Sequence, residues 1–237
     1  MTLVHDETHA AHDPGAADQP AQPAALSGIV EALSRALELH DYRRGVYGET
    51  AAHTERVMRL AIRLTERAAP ELAGDPQLPA GYRLHDIGMI GVPVSVLAKA
   101  GPLTHDEVAE IREHPWLGER IVAPIASLGS VARQVIGCHH ERWDGSGYPR
   151  GLRGGEIPIA ARIFAVADAF DSMTNPQPYR DALALEVALA EIEAGAGSHF
   201  DAAIAAEFLA LFDGQLQTAP LRPSETFPPG PEWPPAG

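Results

Sequence analysis

Residues 131–140 read Val131-Ala132-Arg133-Gln134-Val135-Ile136-Gly137-Cys138-His139-His140. Val131, Val135 and His139 recur at every fourth position, and so do Ile136 and His140, so both runs lie on one face of a helix. An apolar face that ends in two adjacent imidazoles brings chemistry to a helix end. The same period governs the middle of the chain. Ile29, Leu33 and Leu37 mark a first helix. Val46 to Ala68 reads as a longer one, with His53, Val57, Leu60, Ala61 and Leu64 on one face. Thr104 with Glu107 forms a capping box ahead of Val108 and Ile111. Ala161, Phe164, Ala165 and Asp168 share a stripe, and residues 184–194 and 201–213 are Ala-rich helices. No β alternation of any length interrupts them. The expected fold is all-α.

Residues 141–158 break the pattern with five glycines and two prolines, and a loop of that length inside a compact domain is usually functional. The expected organisation is a flexible arm over residues 1–26, one domain over 27–214 and a Pro-rich tail over 215–237.

The chain has 237 residues, 45% hydrophobic and 21% charged, enough to bury a core unaided. Its single cysteine, Cys138, excludes an internal disulfide and suits a reducing compartment. No run of about 18 apolar residues suggests a membrane span, and the start Met1-Thr2-Leu3-Val4 has no signal pattern. The expected location is the cytoplasm. With 18 Lys and Arg against 32 Asp and Glu, the formal net charge is −14, which repels DNA and RNA polymers. A small anion needs local cations, and bound metals are the strongest of these.

Polar groups occupy positions where apolar ones belong. His53 lies on the apolar face of its helix, with Glu49 four residues earlier. His85 and Asp86 precede the helix-breaking Gly88 and Gly91, His114 ends the capped helix, and Asp168 sits on an apolar stripe. A buried carboxylate is costly unless it is paired or coordinates a metal. Five imidazoles and three carboxylates so placed fit a polynuclear metal site. His40, His105 and His199 lack such settings and read as ordinary histidines, and Cys138 reads as a small buried thiol.

These residues, in order, resemble the HD-GYP family of cyclic di-GMP phosphodiesterases, a branch of the HD phosphohydrolase superfamily. The resemblance runs from about Glu49 to Phe212. It is carried by His53-Thr54-Glu55-Arg56-Val57, Leu84-His85-Asp86-Ile87-Gly88, Gly101-Pro102-Leu103-Thr104, His139-His140-Glu141-Arg142, Trp143-Asp144-Gly145-Ser146-Gly147-Tyr148-Pro149 and Val166-Ala167-Asp168-Ala169-Phe170-Asp171. It implies an HD-domain helical bundle with a Gly-rich loop at Gly147-Tyr148-Pro149. It also implies two or three divalent metal ions, iron or manganese, on Glu49, His53, His85, Asp86, His114, His139, His140 and Asp168. His85 and Asp86 are then catalytic, with Asp86 bridging two metals and Glu49 serving a third. Gly147, Tyr148, Pro149, Arg142 and Arg180 would contact substrate. The implied reaction is hydrolysis of cyclic di-GMP to pGpG, and onward to GMP, by metal-activated water. GGDEF-domain proteins and a second copy of the chain are the implied protein partners.

Two positions depart from the family pattern. Met89 stands where the family has the lysine of His-Asp-x-Gly-Lys, and Gln177 where it has the first arginine of Arg-Pro-Tyr-Arg. If both cations face phosphate, each loss removes a contact of about 1.5–3 kcal/mol, with Arg142 or Arg150 as compensation. Two alternatives follow from these changes. One is a catalytically silent protein that binds cyclic di-GMP or a GGDEF partner. The other is an HD phosphohydrolase of a different cyclic dinucleotide.

Overall fold

The computed structural model describes residues 21–42, 49–176 and 181–213. The tail over 215–237, Gln177 and Arg180 lie outside these residues. Helices dominate: α1 (Ala21–Tyr42), α2 (Glu49–Ala68), α3 (Leu78–Arg83), α4 (Val94–Leu97), α5 (His105–Arg112), α6 (His114–Val122), α7 (Ser130–Cys138), α8 (Ile159–Thr174), α9 (Leu185–Ala194) and α10 (Ala202–Leu209). A 3-10 turn, Ile87–Gly91, follows α3, and another, Gly154–Glu156, interrupts the Gly-rich loop. The described residues contain no strand, only an isolated bridge between Ala196 and Phe200. The all-α expectation holds.

Two boundaries differ from the sequence reading. The helix α1 begins at Ala21, within the segment read as an arm. Pro23 is no obstacle there, because first-turn residues have no helical acceptor for their N–H groups. His114 does not end the capped helix: α5 stops at Arg112 and His114 opens α6. Pro115 is the cause, since a proline continues a helix poorly but suits its first turn. The Thr104–Glu107 capping box forms as expected.

Two apolar clusters build the core. The larger joins α2 to α8, α9 and α10 through Val57, Ala61, Leu64, Phe164, Ala167, Ile192 and Phe208. The smaller lies beneath α1 and gathers Leu84, Ile87, Val122, Leu128, Ala132 and Ile136. Tyr82 stacks on Phe164 at 5.2 Å, and its phenol meets the Thr65 hydroxyl at 2.9 Å, so this fully buried ring carries no unpaired polar atom. Phe164 lies 4.7 Å from the His85 ring and 6.0 Å from the His139 ring, centroid to centroid. It forms an apolar floor under the imidazoles. Helix α2 packs along α8, which carries His53 towards Asp168. Among the described residues, no helix is long and apolar enough to cross a membrane.

Candidate metal centre

Three histidines are aimed by the same device. A helix leaves its last carbonyls without helical donors. In the last turn of α3 the Tyr82 carbonyl lies 3.0 Å from His85 Nδ1, and in α7 the Ile136 carbonyl lies 3.0 Å from His139 Nδ1. In α5 the Ile111 carbonyl lies 2.8 Å from His114 Nδ1. Pro115, four residues after Ile111, has no N–H to offer that carbonyl, so the imidazole takes it. A carbonyl only accepts, so each Nδ1 carries a proton, and the neutral form of each ring presents a lone pair at Nε2.

Those three lone pairs converge on one carboxylate. Asp86 Oδ2 is 3.3 Å from His85 Nε2, and Oδ1 is 3.2 Å from His114 Nε2 and 3.5 Å from His139 Nε2. The Nε2 atoms of His114 and His139 stand 3.1 Å apart. Lone pairs facing a carboxylate and each other repel unless positive charge lies between them. Protons answer part of this. Burial opposes the charge on His85, yet Asp86 beside it raises its pKa. His139 and His140 instead stay below the ordinary imidazole value, because burial and neighbouring imidazoles both oppose a proton. Neutral imidazole is the form that ligates metal. Burial disfavours the Asp86 anion as well, but His85, His114 and His139 hold its carboxyl well below the usual range. The donor set therefore fits divalent cations.

Two groups of donor atoms lie within 4.8 Å of one another: Asp86, His114, His139 and His140, and separately His53, His85 and Asp168. Seven of the eight expected ligands are thus brought together, joined through the adjacent His85 and Asp86. The eighth is Glu49. It opens α2, and its side chain lies outside the described residues.

One residue escaped the sequence reading. Asp171 Oδ2 is 2.8 Å from His53 Nδ1, while His53 Nε2 is 3.2 Å from Asp168 Oδ1. Burial works against charge on His53, yet these two carboxylates raise it to about 10. Asp171 is itself held by Arg56, at 2.7 and 3.0 Å, and by the Asn175 amide at 3.0 Å. It lies on α8 one turn beyond Asp168, and that spacing is the signal that could have revealed it. A carboxylate behind a ligating histidine fixes the ring and makes it more basic. Substituting Asp171→Asn is expected to lower metal affinity about 10- to 100-fold, read by competition with a chelator; unaltered affinity would refute the role.

Beside the clusters lies a cavity of about 820 Å³, lined by His139, His140 and Asp168 and, from α5 and the loop, by Arg112, Arg142 and Tyr148. Gly147 also lines it, but Pro149 does not and is exposed. His199, set aside as ordinary, lines the cavity too, and burial next to Arg142 lowers its pKa to about 4. His105 is exposed.

The loop is firmly tied. The buried Glu141 accepts the backbone N–H groups of Arg150 (2.8 Å) and Leu152 (3.0 Å). A Cβ on Gly147 would meet the backbone of His140, Glu141 and Arg142, so that close approach requires glycine. Arg150 does not compensate for missing cations: its guanidinium pairs with Glu119 and reaches Cys138 Sγ at 3.2 Å. Cys138 is a buried thiol pushed up to about 11 by that burial.

Met89 points elsewhere. It is partly buried and packs against the smaller apolar cluster under α1. Its place as a lost phosphate contact is therefore not borne out by the geometry. The variant Met89→Lys is expected to leave kcat and KM for a phosphodiester unaltered and to lower the melting temperature by burying part of a charge. A gain in turnover would show that this position reaches substrate.

The model of the HD domain family matches residues 29–204. A Thermotoga maritima protein named cyclic di-GMP phosphodiesterase is 40% identical over 190 residues, which are 78% of this chain and 49% of that one. A Vibrio cholerae protein named 3'3'-cGAMP-specific phosphodiesterase 2 is 35% identical over 177 residues, 74% of this chain and 31% of that one. Among solved structures, an HDG"Y"P protein from Bdellovibrio bacteriovorus shares the fold at a TM-score of 0.57 and 18% identity, over 81% of this chain and 62% of that one. The chain belongs to the HD domain family, in the HD-GYP branch that its motifs resemble. It spans about half or less of the length of these curated relatives.

Proposed function

We propose that this chain is a metal-dependent phosphodiesterase that hydrolyses cyclic di-GMP to pGpG and onward to GMP. The observation that carries it is the set of Nε2 lone pairs from His85, His114 and His139 converging on Asp86, next to a cavity in the size range of small-molecule sites. The name and 40% identity of the Thermotoga maritima relative supply the substrate class.

His53, His85 and Asp168 would hold one divalent ion, and Asp86, His114, His139 and His140 another, with Glu49 as the candidate for a third. Imidazole and carboxylate without thiolate suit iron or manganese. Bound there, the ions would acidify water and offset charge on the phosphoryl oxygens. The chain's own residues do the rest. His85 and Asp86 are adjacent in sequence and belong to different donor groups, so they set the spacing between the two. Arg142 offers a cation to the phosphodiester. Tyr148 keeps its proton, because burial pushes its phenol up, and can donate a hydrogen bond. A lone buried thiol agrees with a cytoplasmic setting.

The test is turnover of cyclic di-GMP by protein loaded with iron or manganese, followed chromatographically. Formation of pGpG is expected. Its absence beside an active control enzyme would refute the proposal. The names of three Vibrio cholerae relatives favour a second reading, cleavage of 3'3'-cGAMP, which the same assay detects as a preference for the mixed ring.

A further inference from the structure

We propose that Arg112 grips the phosphodiester that is not being cut, so that it selects cyclic dinucleotides over simple diesters. This rests on the functional reading above and deepens it.

Arg112 ends α5 and lines the cavity with Val108 and Ile111 of the same helix. Across from them, α8 supplies Ala165, Asp168, Ala169 and Ser172. These two helical walls are thus mostly apolar, as the faces of nucleobases require, and Arg112 is the cation they carry. Among the described residues, no carboxylate lies within ion-pair distance of Arg112, whereas Arg142 has Asp144 at 3.9 Å, Arg150 has Glu119 and Arg162 has Asp201 at 2.7 Å. Arg112 is therefore a cation of the cavity whose charge no carboxylate among the described residues neutralises, in a chain whose net charge is −14.

Its position is set by stacking. The Arg112 guanidinium lies 5.4 Å from the centre of the Tyr148 ring, and Tyr148 stacks on His140 at 4.7 Å and 25°. Cation–π contact fixes the guanidinium plane while its edge N–H groups stay free for a fork-like grip on phosphate. A cyclic dinucleotide carries two phosphodiesters on opposite sides of one ring. When one lies against His139, His140 and Asp168, the other is carried across the cavity. The Arg112–Tyr148–His140 ladder spans from the metal donors to the group able to receive it.

The experiment compares cyclic di-GMP with bis(p-nitrophenyl) phosphate, a diester with one phosphorus, on manganese-loaded wild type, Arg112→Met and Arg112→Lys. In Arg112→Met, KM for cyclic di-GMP is expected to rise about 10- to 100-fold more than KM for the small diester, with kcat little changed. Arg112→Lys should recover part of the loss, because it keeps the charge. Equal changes for both substrates, or an unaltered KM for cyclic di-GMP, would overturn the assignment. So would a loss of dinucleotide inhibition confined to guanine rings when cyclic di-GMP and cyclic di-AMP compete with the small diester, since that would place Arg112 on a base. A wild type that cleaves the small diester but no cyclic dinucleotide would sink the functional reading itself; cyclic di-GMP turnover indifferent to Arg112 sinks only this one.

Discussion

Asp86→Asn is expected to lose bound metal and to cut turnover of a phosphodiester about 100- to 1000-fold or more, the scale on which one preorganised charge acts in an active site. The substitution keeps size and shape, so the fold should survive. Asp86 faces Nε2 of His85, His114 and His139 within 3.5 Å. An anion there holds cations among neutral imidazoles. An amide instead places its NH2 at one of the two oxygen positions, where at Oδ1 it donates to His114 and His139, while its carbonyl oxygen still faces His85; repulsion falls without metal. The metal-free variant should therefore fold at least as well as metal-free wild type while its metal content falls. Elemental analysis after dialysis, circular dichroism and a turnover assay read the three effects separately. Full metal content with turnover within tenfold of wild type would show that Asp86 is not the hub of the site.

Gly88→Ala should act through the fold. Gly88 lies in the 3-10 turn two residues after Asp86, where that turn crosses the start of α6. A Cβ at this position would overlap the His114 carbonyl oxygen and come within 2.6 Å of the Gly118 nitrogen. Both are backbone atoms, so no side chain can swing aside. Overpacking typically costs about 1–3 kcal/mol, and a clash with backbone belongs at the upper end. At about 2–4 °C per kcal/mol for a chain of this size, the melting temperature should drop roughly 6–12 °C. The displaced atom belongs to His114, a proposed metal ligand, so metal affinity should fall as well. Gly101→Ala is the control, since nothing lies within 4 Å of its Cβ position, and its melting temperature should barely move. Similar melting temperatures for the two variants would contradict the packing described for α6.

Helical period made the all-α architecture legible and marked His53, His139, His140 and Asp168 as polar groups on apolar faces, while the full set of expected ligands came from the resemblance to the HD-GYP family. His53 lies one turn before Val57, and Asp168 one turn after Phe164, on faces that are otherwise apolar. A polar group at such a place has to be justified by a partner, and this requirement is visible in one dimension. The short helices α3, α4 and α6 were not legible, because four to nine residues broken by Pro and Gly give too little period to register.

The chain alone determined which residue types stand on which face of each helix, because side-chain direction repeats with the backbone. Only the tertiary structure decided which faces meet. Asp171 finds His53 across 118 positions. Met89, adjacent to the metal-donor segment, turns into the apolar cluster under α1, and Arg150 turns to Glu119, while Arg112 comes to the cavity. Period specifies a direction around a helix axis; what lies in that direction is set by how distant helices pack, and no local pattern encodes it.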